Sequence, residues 1–274
     1  MDLNVLNEKE SLLRSQLRSL GSIVIAYSGG VDSSLLSYYA RLELVDKAVI
    51  VIAISPSLAE DELRFARQQG WQFNWHVIEI KTDEVEKAEY KVNNEMRCYF
   101  CKTELFNCMK KIAQETNIAY LAYGANLDDI ADFRPGHQAA SEFKVLSPLQ
   151  TAGLSKEEIR FLAQQAGLPS WDRPQAACLS SRFPTFTSIT VAKLSQVDKA
   201  ESIVKEFGVK QVRVRHYEDV AKIEIGQDEL ALFLANPNNE LRVKTKLQEL
   251  GYKQVIVEPE GYKQGSANII RQSN

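Results

Sequence analysis

The sequence predicts an α/β protein, with a helix-covered parallel sheet over residues 1–185 and a second, smaller α+β domain over 186–274. Three features point there. Short β-branched runs alternate with helix-length stretches, as βαβ units require. Those runs are continuously apolar, as in strands buried on both faces of a parallel sheet. Finally, residues 168–190 carry three prolines and many small polar side chains, which marks a loop-rich boundary before the pattern changes.

The elements follow in order. Leu6, Leu12, Leu13, Leu17 and Leu20 have helical spacing, and Gly21 supplies a left-handed stop. Ser22 to Tyr27 reads as a strand, Ser33 to Leu44 as a helix, Ala48 to Ile54 as a strand, Ala59 to Gln69 as a helix and His76 to Ile80 as a strand. Helices are expected at Asp83 to Val92 and Lys102 to Thr116, with a fourth strand from Ile118 to Tyr123. Ser155 with Glu158 three residues on forms a capping box for a helix to Gly167. In the second domain a long helix, Val191 to Phe207, precedes strands around Val212 to Val214 and Ala221 to Ile225. Two helical stretches and a strand at Gln254 to Val257 complete it.

Composition narrows the function. Of 274 residues, 45% are hydrophobic and 25% charged, so the chain can bury a core without disulfide staples. The apolar run Ala48 to Ile54 is far short of the ~20 residues that cross a bilayer, and the opening MDLNVLNEKE has no basic-then-apolar leader pattern. A cytoplasmic location is expected, with no membrane partner. There cysteines stay reduced and more often serve as metal ligands or nucleophiles than as crosslinks, and this chain has four. A net charge of −3 argues against a partner held by bulk phosphate neutralisation, such as nucleic acid.

The most informative segment is Ser28-Gly29-Gly30-Val31-Asp32-Ser33-Ser34, between the first strand and the next helix. Two glycines let consecutive N–H groups converge on an anion, the serines add hydroxyl donors, and the helix aims its positive end at the same spot. Neither a Walker A Lys-Ser/Thr nor G-x-G-x-x-G is present. The loop resembles the SGGxDS motif of the PP-loop ATP pyrophosphatase superfamily, in adenine nucleotide alpha hydrolase-like domains. That resemblance implies that Ser28, Gly29, Gly30, Asp32, Ser33 and Ser34 surround the phosphates of ATP with Mg²⁺. It also implies that Ala53 to Ser55 face the adenine and that Gly124 lies close to the nucleotide.

Cys98 and Cys101 stand in Arg-Cys-Tyr-Phe-Cys-Lys, and Cys178 in Ala-Ala-Cys-Leu-Ser-Ser-Arg. Cys-x-x-Cys spacing lets two thiolates share one metal centre. With Cys178 a zinc or cubane iron–sulfur site would keep one position open, and His137 is a conceivable fourth ligand for zinc. Cys108, seven residues beyond Cys101, reads as core.

Together with Asp128-Asp129-Ile130-Ala131-Asp132-Phe133-Arg134-Pro135-Gly136, Ser147-Pro148-Leu149, Val212-Arg213-Val214-Arg215 and the ending Glu260 to Ser266, these motifs make the whole chain similar to the LarE family. The resemblance implies an ATP-dependent, AMP-forming sulfur transferase. It adenylates a carboxylate of pyridinium-3,5-biscarboxylic acid mononucleotide and converts it to a thiocarboxylate for the nickel-pincer nucleotide. Family members either sacrifice the sulfur of one cysteine, here Cys178, or hold a [4Fe-4S] cluster on three, here Cys98, Cys101 and Cys178. Three cysteines match the cluster-bearing form. The implied partners are the small mononucleotide, sulfide or another sulfur donor, and further copies of the chain in a homo-oligomer.

Arg213 and Arg215 alternate on a strand and share a face. Periodicity alone makes them a solvated pair; the family resemblance makes them, with Ser181, Arg182 and Glu201, a site for the substrate's anionic groups. Asp128, Asp129 and Asp132 are either Mg²⁺ ligands or a solvated carboxylate-rich turn. Glu224 and Asp228 read as surface groups, and His76 and His216 as structural. Two other functions fit the motifs less well: a PP-loop tRNA thiolase and a non-catalytic adenine-nucleotide and metal sensor.

Overall fold

The computed structural model describes residues 1–131 and 135–263. Asp132, Phe133, Arg134 and residues 264–274, with Gln264, Gly265 and Ser266, lie outside the described residues. Contacts divide the described residues into two units, Met1–Glu86 with Met96–Ala176, and Lys87–Glu95 with the residues from Ala177 on.

The first unit begins α1 (Leu3–Leu20), β1 (Ile23–Ala26), α2 (Val31–Leu44), β2 (Ala48–Ile54), α3 (Glu60–Gln72) and β3 (Val77–Lys81). After α4 (Ala88–Lys91), which belongs to the second unit, it continues with α5 (Arg97–Glu115), β4 (Leu121–Tyr123), α6 (Pro135–Glu142), α7 (Pro148–Thr151) and α8 (Lys156–Gln165). Its four strands are all parallel, in the order β3-β2-β1-β4. Ala26 of β1 is level with Val51 of β2 and Tyr123 of β4, so three strands deliver their C-terminal ends to one edge.

Alternation along β1 explains the two-sided burial. Ile23 and Ile25 join α1 and α2 through Leu13, Leu17, Leu35 and Leu36 in one cluster. Val24 points the other way and packs with Val49, Val51 and the α5 residues Phe106 and Met109. Each fully buried leucine of α1 contributes roughly 2 kcal/mol. Asp2 caps α1 by accepting from Asn4 N–H at 2.9 Å, and Gly21 closes it at φ 72°. The Ser155–Glu158 capping box of α8 is present.

The structure departs from the sequence expectations at several elements. The stretch 83–92 is a 3-10 turn and the single turn α4, because the backbone is extended at Lys87 (ψ 135°) between them and left-handed at Asn93 (φ 54°) after them. Helix α5 starts at Arg97 instead of Lys102, which puts both Cys98 and Cys101 on helix. The short helices α6 and α7, both opened by proline, are additions.

The second unit holds α9 (Val191–Lys205), β5 (Val212–Tyr217), β6 (Val220–Ile225), α10 (Gln227–Leu234), α11 (Pro237–Glu249) and β7 (Gln254–Val257). β5 and β6 are antiparallel, and β7 runs parallel to β6. Its core gathers Ala200 and Val204 of α9, Val214 and Ile223 of the sheet, and Val243 and Leu247 of α11. Residues 87–95 are stitched into this unit by side chains and backbone alike. Tyr90 Oη meets Ser180 Oγ at 2.6 Å, and Asn93 Nδ2 donates to Pro184 O at 2.8 Å. Backbone bonds run from Phe186 N to Asn93 O at 2.9 Å and from Ile189 N to Lys91 O at 3.0 Å.

Candidate active site

The turn after β1 is built around glycine. Gly29 has φ 80°, a conformation L side chains rarely adopt, and Gly30 caps α2. Ser33 Oγ and Ser34 Oγ donate to Gly30 O at 3.0 and 2.8 Å, while Ser28 N–H donates to Ser33 Oγ at 3.3 Å. The loop is therefore internally braced, and the positive end of α2 opens on the sheet edge. A cavity of about 250 Å³ lies there, with Ser28, Gly30, Asp32, Ser33 and Gly124 in its wall. Tyr27, Ala53 and Leu58 give it an apolar side suited to a base. Gly124 packs so closely that a Cβ would sit 2.6 Å from Ser33 N.

Other expected contacts fall differently. Ser34 is fully buried, and its hydroxyl also accepts from Gln69 Nε2 at 2.7 Å. Ser55 bonds Ser57 Oγ at 2.7 Å, and neither it, Gly29 nor Ser34 is in the cavity wall.

Four residues take up places at the phosphate loop that the sequence did not assign to them. Lys102, Leu105 and Phe106 of α5 line the cavity, and Lys102 Nζ lies 4.4 Å from the centroid of the Tyr123 ring. The fourth is Lys156, whose Nζ is paired with the Asp32 carboxylate. Burial pushes the Asp32 carboxyl up, Lys156 opposes that, and the net displacement is upward. Asn126 Nδ2 approaches Asp32 Oδ1 at 3.5 Å. The only available clue to Lys102 was its position beside Cys101.

Asp128 and Asp129 are used by the backbone around this pair. Asp128 Oδ2 accepts from Lys156 N–H at 2.8 Å, and Asp129 Oδ2 from Asn126 N–H at 3.0 Å. Asp132 lies outside the described residues. Two of the three carboxylates thus bracket the start of α8 and the turn holding Asn126.

Cys98 is exposed and Cys101 half-buried, three positions apart in the first turns of α5 and hence on one helix face. Cys108 is not fully core: it is half-buried, with its thiol donating to Glu104 Oε1 at 3.7 Å. His137 meets the Tyr123 ring edge to face, 6.2 Å from centroid to centroid. Among the described residues no group of three or more His, Cys, Asp or Glu side chains is gathered for a metal ion.

In the second unit Cys178 is exposed and caps the short 3-10 helix Leu179–Arg182. Arg182 curls back on that loop. Its Nη1 donates to Ala177 O at 2.7 Å and Cys178 O at 3.0 Å, while Nε and Nη2 form a fork on Glu201 at 2.8 and 3.0 Å. Arg215 Nη1 donates to Ser181 O at 2.9 Å, and its Nε to Glu224 at 2.9 Å. One expectation therefore changes: Glu224 is fully buried instead of a surface group. Arg213 and Arg215 are buried too, which removes the solvated-pair alternative. Asp228 is exposed.

Burial pushes the Glu201 carboxyl up, but Arg182, Arg213 and the Val214 N–H outweigh it and hold it below its ordinary value. Burial and neighbouring Arg182 depress the Arg213 guanidinium. Three arginines against Glu201 and Glu224 leave one formal positive charge, and adding the Lys222–Glu258 pair at 2.5 Å leaves that excess unchanged. The cluster suits an anion.

No family model matches the chain. It is 40% identical, over 97% of its length, to an uncharacterized Synechocystis sp. protein of which 99% is covered. It is also 31% identical, over 95% of its length, to pyridinium-3,5-bisthiocarboxylic acid mononucleotide synthase, LarE, of Lactiplantibacillus plantarum, of which 94% is covered. The chain belongs to the LarE family. A third relative, an uncharacterized Methanocaldococcus jannaschii protein, is 30% identical over 88% of this chain and 90% of its own. In this LarE chain the phosphate loop and the Cys-x-x-Cys helix share the first unit, and Cys178 with its arginines lies in the second. Among the described residues no helix is long and apolar enough to cross a membrane.

Proposed function

We propose that the protein is an ATP-dependent sulfur transferase of nickel-pincer nucleotide synthesis, acting on pyridinium-3,5-biscarboxylic acid mononucleotide. The observation that carries this reading is the braced SGGVDSS cradle with its adjoining cavity, in a chain aligned over nearly its whole length with a named bisthiocarboxylate synthase.

In the first half-reaction Ser28, Gly30 and Ser33 align the phosphates of ATP, and Asp32 would hold Mg²⁺, which when bound supplies charge neutralisation at the phosphates. Lys156 and Lys102 supply positive charge as pyrophosphate departs. A substrate carboxylate oxygen attacks the α-phosphorus, giving an acyl-adenylate. Arg213 and Arg215, with Ser181, hold the anionic groups of the acceptor, while Arg182 on Glu201 fixes the loop of Cys178. Sulfur delivered at Cys178 displaces AMP and leaves the thiocarboxylate.

The all-thiolate donor set of Cys98, Cys101 and Cys178 is of the soft kind that iron–sulfur centres use, and the first two already share a helix face. These three cysteines would hold a [4Fe-4S] cluster. When bound, it supplies an iron that no protein thiolate occupies, able to carry a replaceable sulfide.

The test combines anaerobic reconstitution with mass measurement before and after turnover with ATP and the mononucleotide. Substrate-dependent exchange of pyrophosphate into ATP and release of thiocarboxylate are expected, with protein mass unchanged over repeated turnovers. A loss of ~34 Da, the mass of H₂S, from Cys178 after one turnover would replace the renewable donor by sacrifice. Thiolation of tRNA without thiolation of the mononucleotide would overturn the substrate assignment.

A further inference from the structure

Beside the arginine cluster stands one aromatic ring that the proposed reaction does not use. Tyr262 places its ring centroid 5.5 Å from the Arg213 guanidinium carbon and 5.9 Å from that of Arg215. Both distances are within the range of cation–π attraction.

The position is built by the backbone. After β7 the chain keeps to β6: Glu258 N–H donates to Ile223 O at 2.8 Å and Tyr262 N–H to Ile225 O at 2.7 Å. Glu224, between those two carbonyls, is the residue paired with Arg215 and opposite Arg213 in the β5–β6 register. Gly261 makes the turn at φ 69°, where a Cβ would lie 2.7 Å from Ile225 O. Only glycine fits between Glu260 and Tyr262, so the ring is delivered to the arginines by a local fold, not by chance exposure.

A guanidinium fork at right distance from an aromatic face is a receptor for a flat ring with carboxylates in its plane. The guanidinium charge attracts the carboxylates, which would join Glu224 and the Ser181 carbonyl around it, and the phenol face takes the ring. A pyridinium ring is cationic and electron-poor, so it gains from the negative face of a phenol. We propose that Tyr262 is a specificity-determining residue for the acceptor, stacking on the pyridinium ring while Arg213 and Arg215 hold its carboxylates. This rests on the reading of the arginine cluster as the acceptor site.

The test is calorimetric titration of the full chain with three probes: the biscarboxylic acid mononucleotide, pyridine-3,5-dicarboxylate and ribose 5-phosphate. Tyr262→Leu and Tyr262→Gln, two ring-less variants of different polarity, are expected to weaken the mononucleotide by about tenfold and the dicarboxylate, whose ring is uncharged at neutral pH, by about threefold. Both should leave ribose 5-phosphate affected by less than about twofold, and Tyr262→Phe should restore mononucleotide affinity because the ring face, not the hydroxyl, does the binding. Equal weakening of all three probes would make Tyr262 a mere support for the arginines and overturn the proposal, as would no weakening or a failure of Tyr262→Phe to restore. Arg213→Ala is the separate control. If it leaves mononucleotide affinity intact, the acceptor-site reading itself fails and takes the Tyr262 role with it.

Discussion

Lys156 and Asp32, 124 positions apart in sequence, form an ion pair beside the phosphate cradle. The pair joins the first turn of α2 to the first turn of α8, so the nucleotide loop is held by a helix that does not itself line the cavity. Burial has displaced the Asp32 carboxyl upward despite this lysine. A raised carboxyl means that folding disfavours the charged form, and the penalty grows as pH rises above the ordinary value of 3.8 and persists at neutral pH. Asp32→Asn is therefore expected to hold or raise the thermal midpoint while pyrophosphate exchange falls at least about a hundredfold. A lower midpoint by differential scanning calorimetry, or exchange near the parent rate, contradicts this.

Asp128 accepts from the Lys156 backbone, so its loss acts on position, not on metal. Asp128→Ala should cost about 1 kcal/mol, as the loss of a helix cap does. In steady-state assays it should raise KM for ATP more than it lowers kcat, with the Mg²⁺ dependence unchanged. A large rise in the Mg²⁺ concentration needed would restore the ligand reading of this carboxylate.

Gly124→Ala pushes a methyl group to within 2.6 Å of Ser33 N and 2.9 Å of the Asp32 carbonyl carbon. Backbone cannot yield as a flexible side chain does, so the variant should lose about 2–3 kcal/mol and bind ATP at least tenfold more weakly. Urea unfolding and nucleotide titration measure both effects. Normal ATP affinity would mean that the loop after β1 has slack.

His216 is 2% exposed, with Nδ1 at 3.1 Å from Tyr252 Oη. Burial first, then nearby Lys193, lowers its pKa from 6.5 to about 4. The folded state thus prefers the neutral ring. That contribution is complete above pH 6.5 and is lost progressively as pH falls towards 4, up to about 3 kcal/mol. Denaturant melts at stepped pH should show this fall, and His216→Gln should flatten it. An unchanged slope in the variant assigns the acid sensitivity to other groups.

The parallel sheet, the capping box and the phosphate loop were legible because each is written locally, in a continuous run or a fixed spacing. Glu224 was misread for the opposite reason. Within its own strand nothing separates a surface glutamate from one buried against Arg215, since the partner is set by the hairpin register. Lys156 was missed likewise: a lysine opening a helix reads as solvated until α8 is seen beside α2. Helix α5 begins a turn and a half before its sequence suggests, because the weak helix propensity of Arg-Cys-Tyr-Phe-Cys is overridden by the contacts of α5 with α6.

The stitching of Lys87–Glu95 to the chain beyond Ala177 sets an order on biosynthesis. During translation Tyr90 and Asn93 leave the ribosome long before Ser180 and Pro184, their hydrogen-bond partners, have been made. The nascent parallel sheet can close around β4 while this short strap still waits, and the second unit acquires its last piece from a stretch synthesised far upstream. For the same reason a fragment beginning at Ala177 would start without the hydroxyl that Ser180 needs and the amide that holds Pro184.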